Sequence, residues 1–275
     1  MTQLAFMRSG TGAPLVLLHA LGTSRRTWDP VLPALAARFD VIAVDLLGFG
    51  GSDLLLAEVE SLPSALAAAV AGLLDELGVT TPHLVGNSLG GWVALELAAL
   101  RPAASLTLLA PAGLWRRNTP WYDRVSLRAT RWLARHLARP LRRLVDYRLG
   151  RVLVLGQSHG HPMRLTPEYA WATIHSLGTC PGFDAVLQAT LTRRYLATKP
   201  IEAPVTVAFG SRDLVLLRHQ SRHLDQLPPG TRLATLPGCG HLSAADDPAA
   251  VADLISESTA RGRAQDGLAR TQSPQ

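Results

Sequence analysis

The chain has 275 residues and a mass of 29.4 kDa, is 47% hydrophobic, 17% charged and 5% aromatic, and carries a formal net charge of +6. This length suits one large α/β domain, and the apolar content with so modest a charge excludes disorder as the dominant state. The longest apolar run, residues 65–74, stops at Asp75, far short of the ~18 residues a membrane span needs, and the N-terminus lacks the pattern of a secretory leader, so a soluble cytoplasmic protein is expected.

In chain order, residues 15–18 and 41–44 read as short buried strands that end at polar or glycine-rich turns. A helix pattern covers 61–77, with Pro63 in its first turn and Gly78 as its stop. Residues 83–86 read as a strand leading straight into a helix over 89–100, and 106–109 as the next strand. Residues 114–199 then show helical patterns without clear strands, divided by Pro120, Pro140, Pro162, Pro167 and Pro181. Strand patterns return at 205–209 and 232–236, a last helix covers 248–257, and the polar tail over 259–275 is expected to be disordered. There is no internal repeat. Continuous apolar strands separated by helices predict an α/β fold, a mostly parallel sheet with helices on both faces. Residues 1–113 and 200–258 form that core, and 114–199 are inserted as a helical, arginine-rich lid.

Charge is segregated along the chain. Residues 114–199 hold fifteen basic residues against four acids, a balance of +11, and the remainder twelve against seventeen, or −5. Twenty-six of the 27 basic residues are arginine; a coding bias explains arginine over lysine but not the segregation. Arg124, Arg128, Arg131, Arg135, Arg139 and Arg142 recur at three- or four-residue steps, and Val125, Ala129, Trp132, Leu133 and Leu137 follow a similar rhythm on another side. One helix from Asp123 to Arg139 then has a basic face and an apolar face. The plainer expectation is a solvated arginine face over a lid packed on its own core. The sharper one is docking on an anionic membrane, with Trp115, Trp121 and Trp132 among the arginines. No nucleic-acid recognition module accompanies the charge, so no nucleic-acid partner is expected. Cys180 and Cys239 read as buried free thiols. His159-Gly160-His161 lacks a third ligand nearby, and no metal or cofactor is expected.

The strongest local signal is Gly86-Asn87-Ser88-Leu89-Gly90-Gly91, a G-x-S-x-G pattern between a predicted strand and a predicted helix. Small residues two before and two after the serine let the chain turn sharply and lift the hydroxyl to the carboxyl edge of the sheet. The Leu89 amide then stands at a helix N-terminus, where it can donate to a developing oxyanion. A serine hydroxyl needs a histidine to take its proton and a carboxylate to orient that histidine. Asp213, after Phe209-Gly210-Ser211-Arg212, falls just past one predicted strand, and His241, after Gly238-Cys239-Gly240, past the next. Both reach the edge that carries Ser88, in the order Ser, Asp, His expected for this architecture.

With these pieces in place, the chain resembles the α/β-hydrolase fold family over about residues 4–258. Further matching segments are Leu17-Leu18-His19-Ala20-Leu21-Gly22 and Val44-Asp45-Leu46-Leu47-Gly48-Phe49-Gly50-Gly51-Ser52. The first resembles the family's His-Gly turn, and the resemblance gives the second oxyanion amide to Leu21, with Ala20 standing where the family usually has glycine. The Asp45–Ser52 segment is usually structural in the family. Little room precedes residue 4 for the family's first strand, so a sheet one strand short at that edge is expected.

The resemblance implies a serine hydrolase that cleaves a carboxylic ester through an acyl-enzyme on Ser88. Serine at the elbow stands against dehalogenases and epoxide hydrolases, which this family builds with aspartate there. The alternative is hydrolysis of a carbon–carbon bond in a diketone-like ring-cleavage product. The Gly-Asn-Ser-x-Gly-Gly elbow resembles those enzymes and an arginine-bearing lid would suit an acidic substrate, but Leu242 follows His241 where they commonly carry tryptophan. A second alternative is a ligand-binding protein that keeps the fold without hydrolysis.

Overall fold

The computed structural model describes residues 3–54, 62–217 and 219–271. The strands are β1 (Phe6–Ser9), β2 (Ala13–Leu18), β3 (Phe39–Val44), β4 (His83–Asn87), β5 (Ser105–Leu109), β6 (Val205–Gly210) and β7 (Arg232–Leu236). They form one seven-stranded sheet in the order β1-β3-β2-β4-β5-β6-β7. All neighbours are parallel except β1, which runs antiparallel to β3 at the edge. Around the sheet lie α1 (Leu32–Ala36), α2 (Leu62–Glu76), α3 (Leu89–Leu100), α9 (Ser243–Asp246) and α10 (Pro248–Thr271). Between β5 and β6 stand α4 (Trp121–His136), α5 (Ala138–Leu144), α6 (Arg148–Leu155), α7 (Pro167–Thr179) and α8 (Phe183–Thr190).

The pleat sends successive strand residues to opposite faces. Val16 and Leu18 of β2 join Leu66 and Val70 of α2 and Val93 and Leu97 of α3 in one core. Leu15 and Leu17 join Leu35 of α1 and Val251 and Ile255 of α10 in the other. Both faces are therefore dry, which is why the central strands read as continuous apolar runs. A third, smaller core lies among the inserted helices, around Ala134, Val145, Leu155 and Ile174.

Four departures from the sequence reading have physical causes. Strand β1 was not expected; it is an edge strand of alternating exposed and half-buried residues, so it has no apolar run. The expected helix over 61–77 is Leu62–Glu76, and Ser61 lies outside the described residues. The helix expected from Asp123 to Arg139 ends at His136 instead, because Pro140 has no N–H to donate to the His136 carbonyl. The last helix does not stop at 257 but runs to Thr271, against the disordered tail expected from 259. Small residues on one side let it lie on β5. Ser258 and Thr259 are buried, and a Cβ at Gly262 would be driven into the Ala104 carbonyl oxygen.

The inserted arginines do not form a single solvated face. Arg131 is buried and donates to the Leu177 and Cys180 carbonyls, with its guanidinium 5.1 Å from the Phe183 ring. Arg124 donates to the Thr119 and Leu191 carbonyls, and Arg142 pairs with Asp146 at 2.6 Å. Helix α4 buries Asp123, Arg131 and Ala134, while Val125, Trp132 and Leu133 are exposed. The charged residues thus carry much of its packing, and the apolar stripe faces outward. Trp115 does not share that surface: it is buried edge-on against Trp92 and donates to the Arg193 carbonyl.

Candidate active site

Three sheet-edge loops build the site. Ser88 follows β4 directly and sits at φ 53°, ψ −114°, a conformation a non-glycine residue holds only when its surroundings impose it. Here they do. The Ser88 N–H donates to Leu109 O at 2.9 Å, and its carbonyl accepts from the amides of Gly91, Trp92 and Ala112. The flanking glycines are demanded by contact: a Cβ at Gly86 would strike the Gly90 carbonyl, and one at Gly90 the Leu18 and His19 carbonyls.

Asp213 lies just past β6. Its Oδ1 accepts from the amides of Val215 (2.8 Å) and Leu216 (2.9 Å), and its Oδ2 accepts from His241 Nδ1 at 2.9 Å. That bond places the histidine proton on Nδ1 and leaves Nε2 as an acceptor. Ser88 and His241 line the same cavity of about 420 Å³. Asn87 ties the two loops together by donating to both Leu109 O and His241 O.

Leu21 and Leu89 also line this cavity. Neither amide has a protein acceptor among the described residues. The Ala20–Leu21 peptide is held by its carbonyl, which accepts from Thr23 N, Thr23 Oγ1 and His19 Nδ1. Because C=O and N–H point in opposite directions across a trans peptide, this fixes the Leu21 N–H away from those donors. His19 Nε2 accepts from Leu46 N, which puts its proton on Nδ1; burial lowers its pKa, so the ring is a neutral brace. Asp45 is structural too, accepting from the amides of Arg25 and Gly51.

His159-Gly160-His161 forms a seam against the His241 loop. The Asp246 carboxylate accepts from the amides of Gly160 (2.7 Å), His161 (2.9 Å) and Gly240 (2.7 Å). Leu242 N donates to Ser158 O. Buried His159 has its pKa pushed down to about 4 by desolvation, and among the described residues no cluster of three metal ligands forms. A Cβ at Gly160 would be driven into the Gly238 carbonyl. Gly160→Ala is therefore expected to destabilise the fold by about 1–3 kcal/mol. It should also slow turnover through the displaced His241 loop; urea unfolding and ester kinetics on the same preparation would check both. Cys180 and Cys239 are free and buried.

The sequence reading missed Asp123. It is fully buried on the first turn of α4 and lines the cavity, and among the described residues neither carboxylate oxygen has a hydrogen-bond partner. Desolvation raises its pKa to about 7; His241 opposes the shift and Asp213 adds to it. A carboxyl raised in the folded state stabilises fully below its unfolded pKa, and that contribution is lost as pH rises through about 7. Asp123→Leu should therefore gain thermal stability relative to the parent protein as pH goes from 5 to 8. A melting-temperature difference that stays flat or shrinks over that range would contradict this. The cavity is otherwise apolar, with neutral hydroxyls and amides, and among the described residues no arginine or lysine lines it. The inserted arginines point elsewhere, against the expectation that they would suit an acidic substrate.

Comparison with known proteins places this geometry. The α/β hydrolase fold matches residues 13–248. An epoxide hydrolase of Mycobacterium tuberculosis is 34% identical over 205 residues, covering 70% of this chain and 92% of the relative. A pimeloyl-acyl-carrier-protein methyl ester esterase of Nitrosomonas europaea is 28% identical over 253 residues, covering 88% and 93%. The crystal structure of an esterase from Rhodococcus superposes with a TM-score of 0.72 at 24% identity, covering 94% of this chain and 95% of that one.

Proposed function

The chain belongs to the α/β hydrolase fold family, and from that premise we propose that it is a serine hydrolase acting on carboxylic esters. The observation that carries this reading is the His241–Asp213 bond beside a cavity that both Ser88 and His241 line; with Nδ1 donating to Asp213, Nε2 is the ring nitrogen left to act as base. In the proposed reaction His241 Nε2 takes the Ser88 proton as Oγ attacks the ester carbonyl, and the Leu21 and Leu89 amides hold the oxyanion. His241 returns the proton to the leaving alcohol, then activates the water that releases the acid from Ser88. Asp213 keeps the tautomer and stabilises the imidazolium. Residues 114–199 serve as a lid, since Leu127, Leu177 and Leu187 of that segment wall the cavity.

Two other reactions fit less well. Epoxide opening in this family is built on an elbow aspartate, and Ser88 stands there instead. Carbon–carbon hydrolysis of an acidic ring-cleavage product calls for a cation, and the described lining offers none. The test is hydrolysis of p-nitrophenyl esters from short to long acyl chains, with fluorophosphonate labelling alongside. Turnover that peaks at a medium or long chain supports the ester reading. Labelling of Ser88 without turnover of any ester overturns it in favour of the carbon–carbon bond.

We also propose that the lid docks on anionic membrane. Of seventeen large apolar residues exposed among the described residues, ten lie between Trp121 and Leu153, and Leu149 and Leu153 are 72% and 79% exposed. Exposed Arg128, Arg135, Arg139 and Arg148 share those helices. Leu133, Leu144 and Leu153 are both exposed and cavity-lining, so the same patch rims the entrance. Apolar side chains ringed by arginine suit the boundary between acyl chains and phosphate headgroups. Co-sedimentation with phosphatidylglycerol vesicles at low salt is expected, and Leu149→Asp with Leu153→Asp should abolish it. No sedimentation of the parent protein would remove the idea.

A further inference from the structure

A buried carboxyl with two unpartnered oxygens is costly, and one that lines a cavity is placed where a ligand can satisfy it. Asp123 is that group: fully buried, lining the cavity, and bonded to nothing among the described residues. We propose that Asp123 is a specificity residue that binds a free hydroxyl carried on the substrate close to the scissile ester, so that the preferred substrates are hydroxyalkyl esters of apolar acids. The proposal rests on the ester-hydrolase reading above and names the substrate class of the same site.

Three observations select the hydroxyl. The first is position. Asp123 lines the same cavity as Ser88 and His241, and the charges of His241 and Asp213 act on it, which favours a recognised group near the reacting bond over one at the far apolar end. The second is sign. No arginine or lysine lines the described cavity, and the Asp123 carboxyl does, which disfavours an anionic substituent. A cationic one must pass an entrance set among the exposed arginines of α4 to α6. The third is protonation. The carboxyl titrates near neutrality, and a hydroxyl suits both of its states. It donates to the carboxylate, and it exchanges a pair of hydrogen bonds with the acid. The remaining lining, with Leu127, Ile174, Leu177, Val186 and Leu187, accommodates the acyl chain.

The test is calorimetric binding of two isosteric esters, 2-hydroxyethyl hexanoate and propyl hexanoate, to the Ser88→Ala protein. Ser88→Ala keeps Asp123 and does not turn the ligand over, so the result stands whether or not the ester chemistry is right. Wild-type turnover of propyl hexanoate reports on that chemistry separately. The hydroxyl ester is expected to bind about tenfold tighter or more, the scale of one hydrogen bond to a charged acceptor. Adding Asp123→Leu should bring the two affinities to within about twofold, and adding Asp123→Asn should restore part of the difference. Asp123→Leu removes an unpartnered buried carboxyl, so its melting temperature at pH 8 should be no lower than that of the parent. Equal affinities for the two esters, no binding of either, or a preference that survives Asp123→Leu overturns the assignment. So does tighter binding of 2-(dimethylamino)ethyl hexanoate, which would make the recognised group an amine.

Discussion

Ser88→Ala is expected to lower ester turnover at least ~10³-fold while leaving the fold intact. The two halves of that expectation come from different atoms. The strained elbow is held by the Ser88 backbone, through Leu109 O and the three amides on its carbonyl, and alanine keeps all of these. Among the described residues the side-chain hydroxyl caps no helix amide and carries no structural hydrogen bond. It belongs to a residue that lines the same cavity as His241, where the proposed attack on the substrate carbonyl takes place. A circular-dichroism spectrum and melting temperature matching the parent, with turnover gone, would separate chemistry from stability. An alanine variant with full activity would sink the nucleophile assignment.

The second large effect is Asp213→Asn, expected to cost roughly 10³- to 10⁴-fold in turnover, the scale known for the wrong histidine tautomer. The carboxylate has no idle oxygen: Oδ1 holds the Val215 and Leu216 amides, and Oδ2 holds His241 Nδ1. In asparagine the carbonyl must stay with the two amides, which can only donate. The NH₂ then faces His241, Nδ1 becomes the acceptor, and the ring proton moves to Nε2. A protonated Nε2 cannot take the Ser88 proton. Because the cause is a proton on the wrong nitrogen, activity should recover partly at high pH, where hydroxide can serve as base. Asp213→Ala, which imposes no tautomer, should show less pH-dependent recovery. Equal pH profiles for the two variants would argue that Asp213 acts only by packing.

The sheet was legible because both faces of its central strands are covered, so each strand appears as an apolar run with a turn at its end. The same property pointed to the candidate site. Ser88, Asp213 and His241 each follow a strand, parallel strands place those ends on one edge, and there Asp213 bonds His241 while His241 and Ser88 line one cavity. Edge strand β1 escaped because one-sided burial gives no run. The α10 tail escaped because Ser258, Thr259 and Gly262 are small, not because they are solvated. In the inserted helices periodicity pointed the wrong way. An arginine can be buried when carbonyls such as Leu177 O and Cys180 O receive it, and composition cannot reveal those partners. Asp123 shows the limit most plainly. In the sequence it is one acid in the first turn of a basic helix, where acids ordinarily suit the helix dipole in solvent. Only the packing of the folded chain turns it into a buried carboxyl on the cavity that His241 also lines.

A covalent acyl intermediate at Ser88 is the step that the proposed reaction cannot do without. Mixing the protein with p-nitrophenyl hexanoate, quenching in acid within the first turnovers and mapping peptides by mass spectrometry tests that directly. One hexanoyl group on Ser88, absent from Ser88→Ala, is the predicted result. Turnover without any adduct on Ser88, or an adduct on another residue, would contradict it.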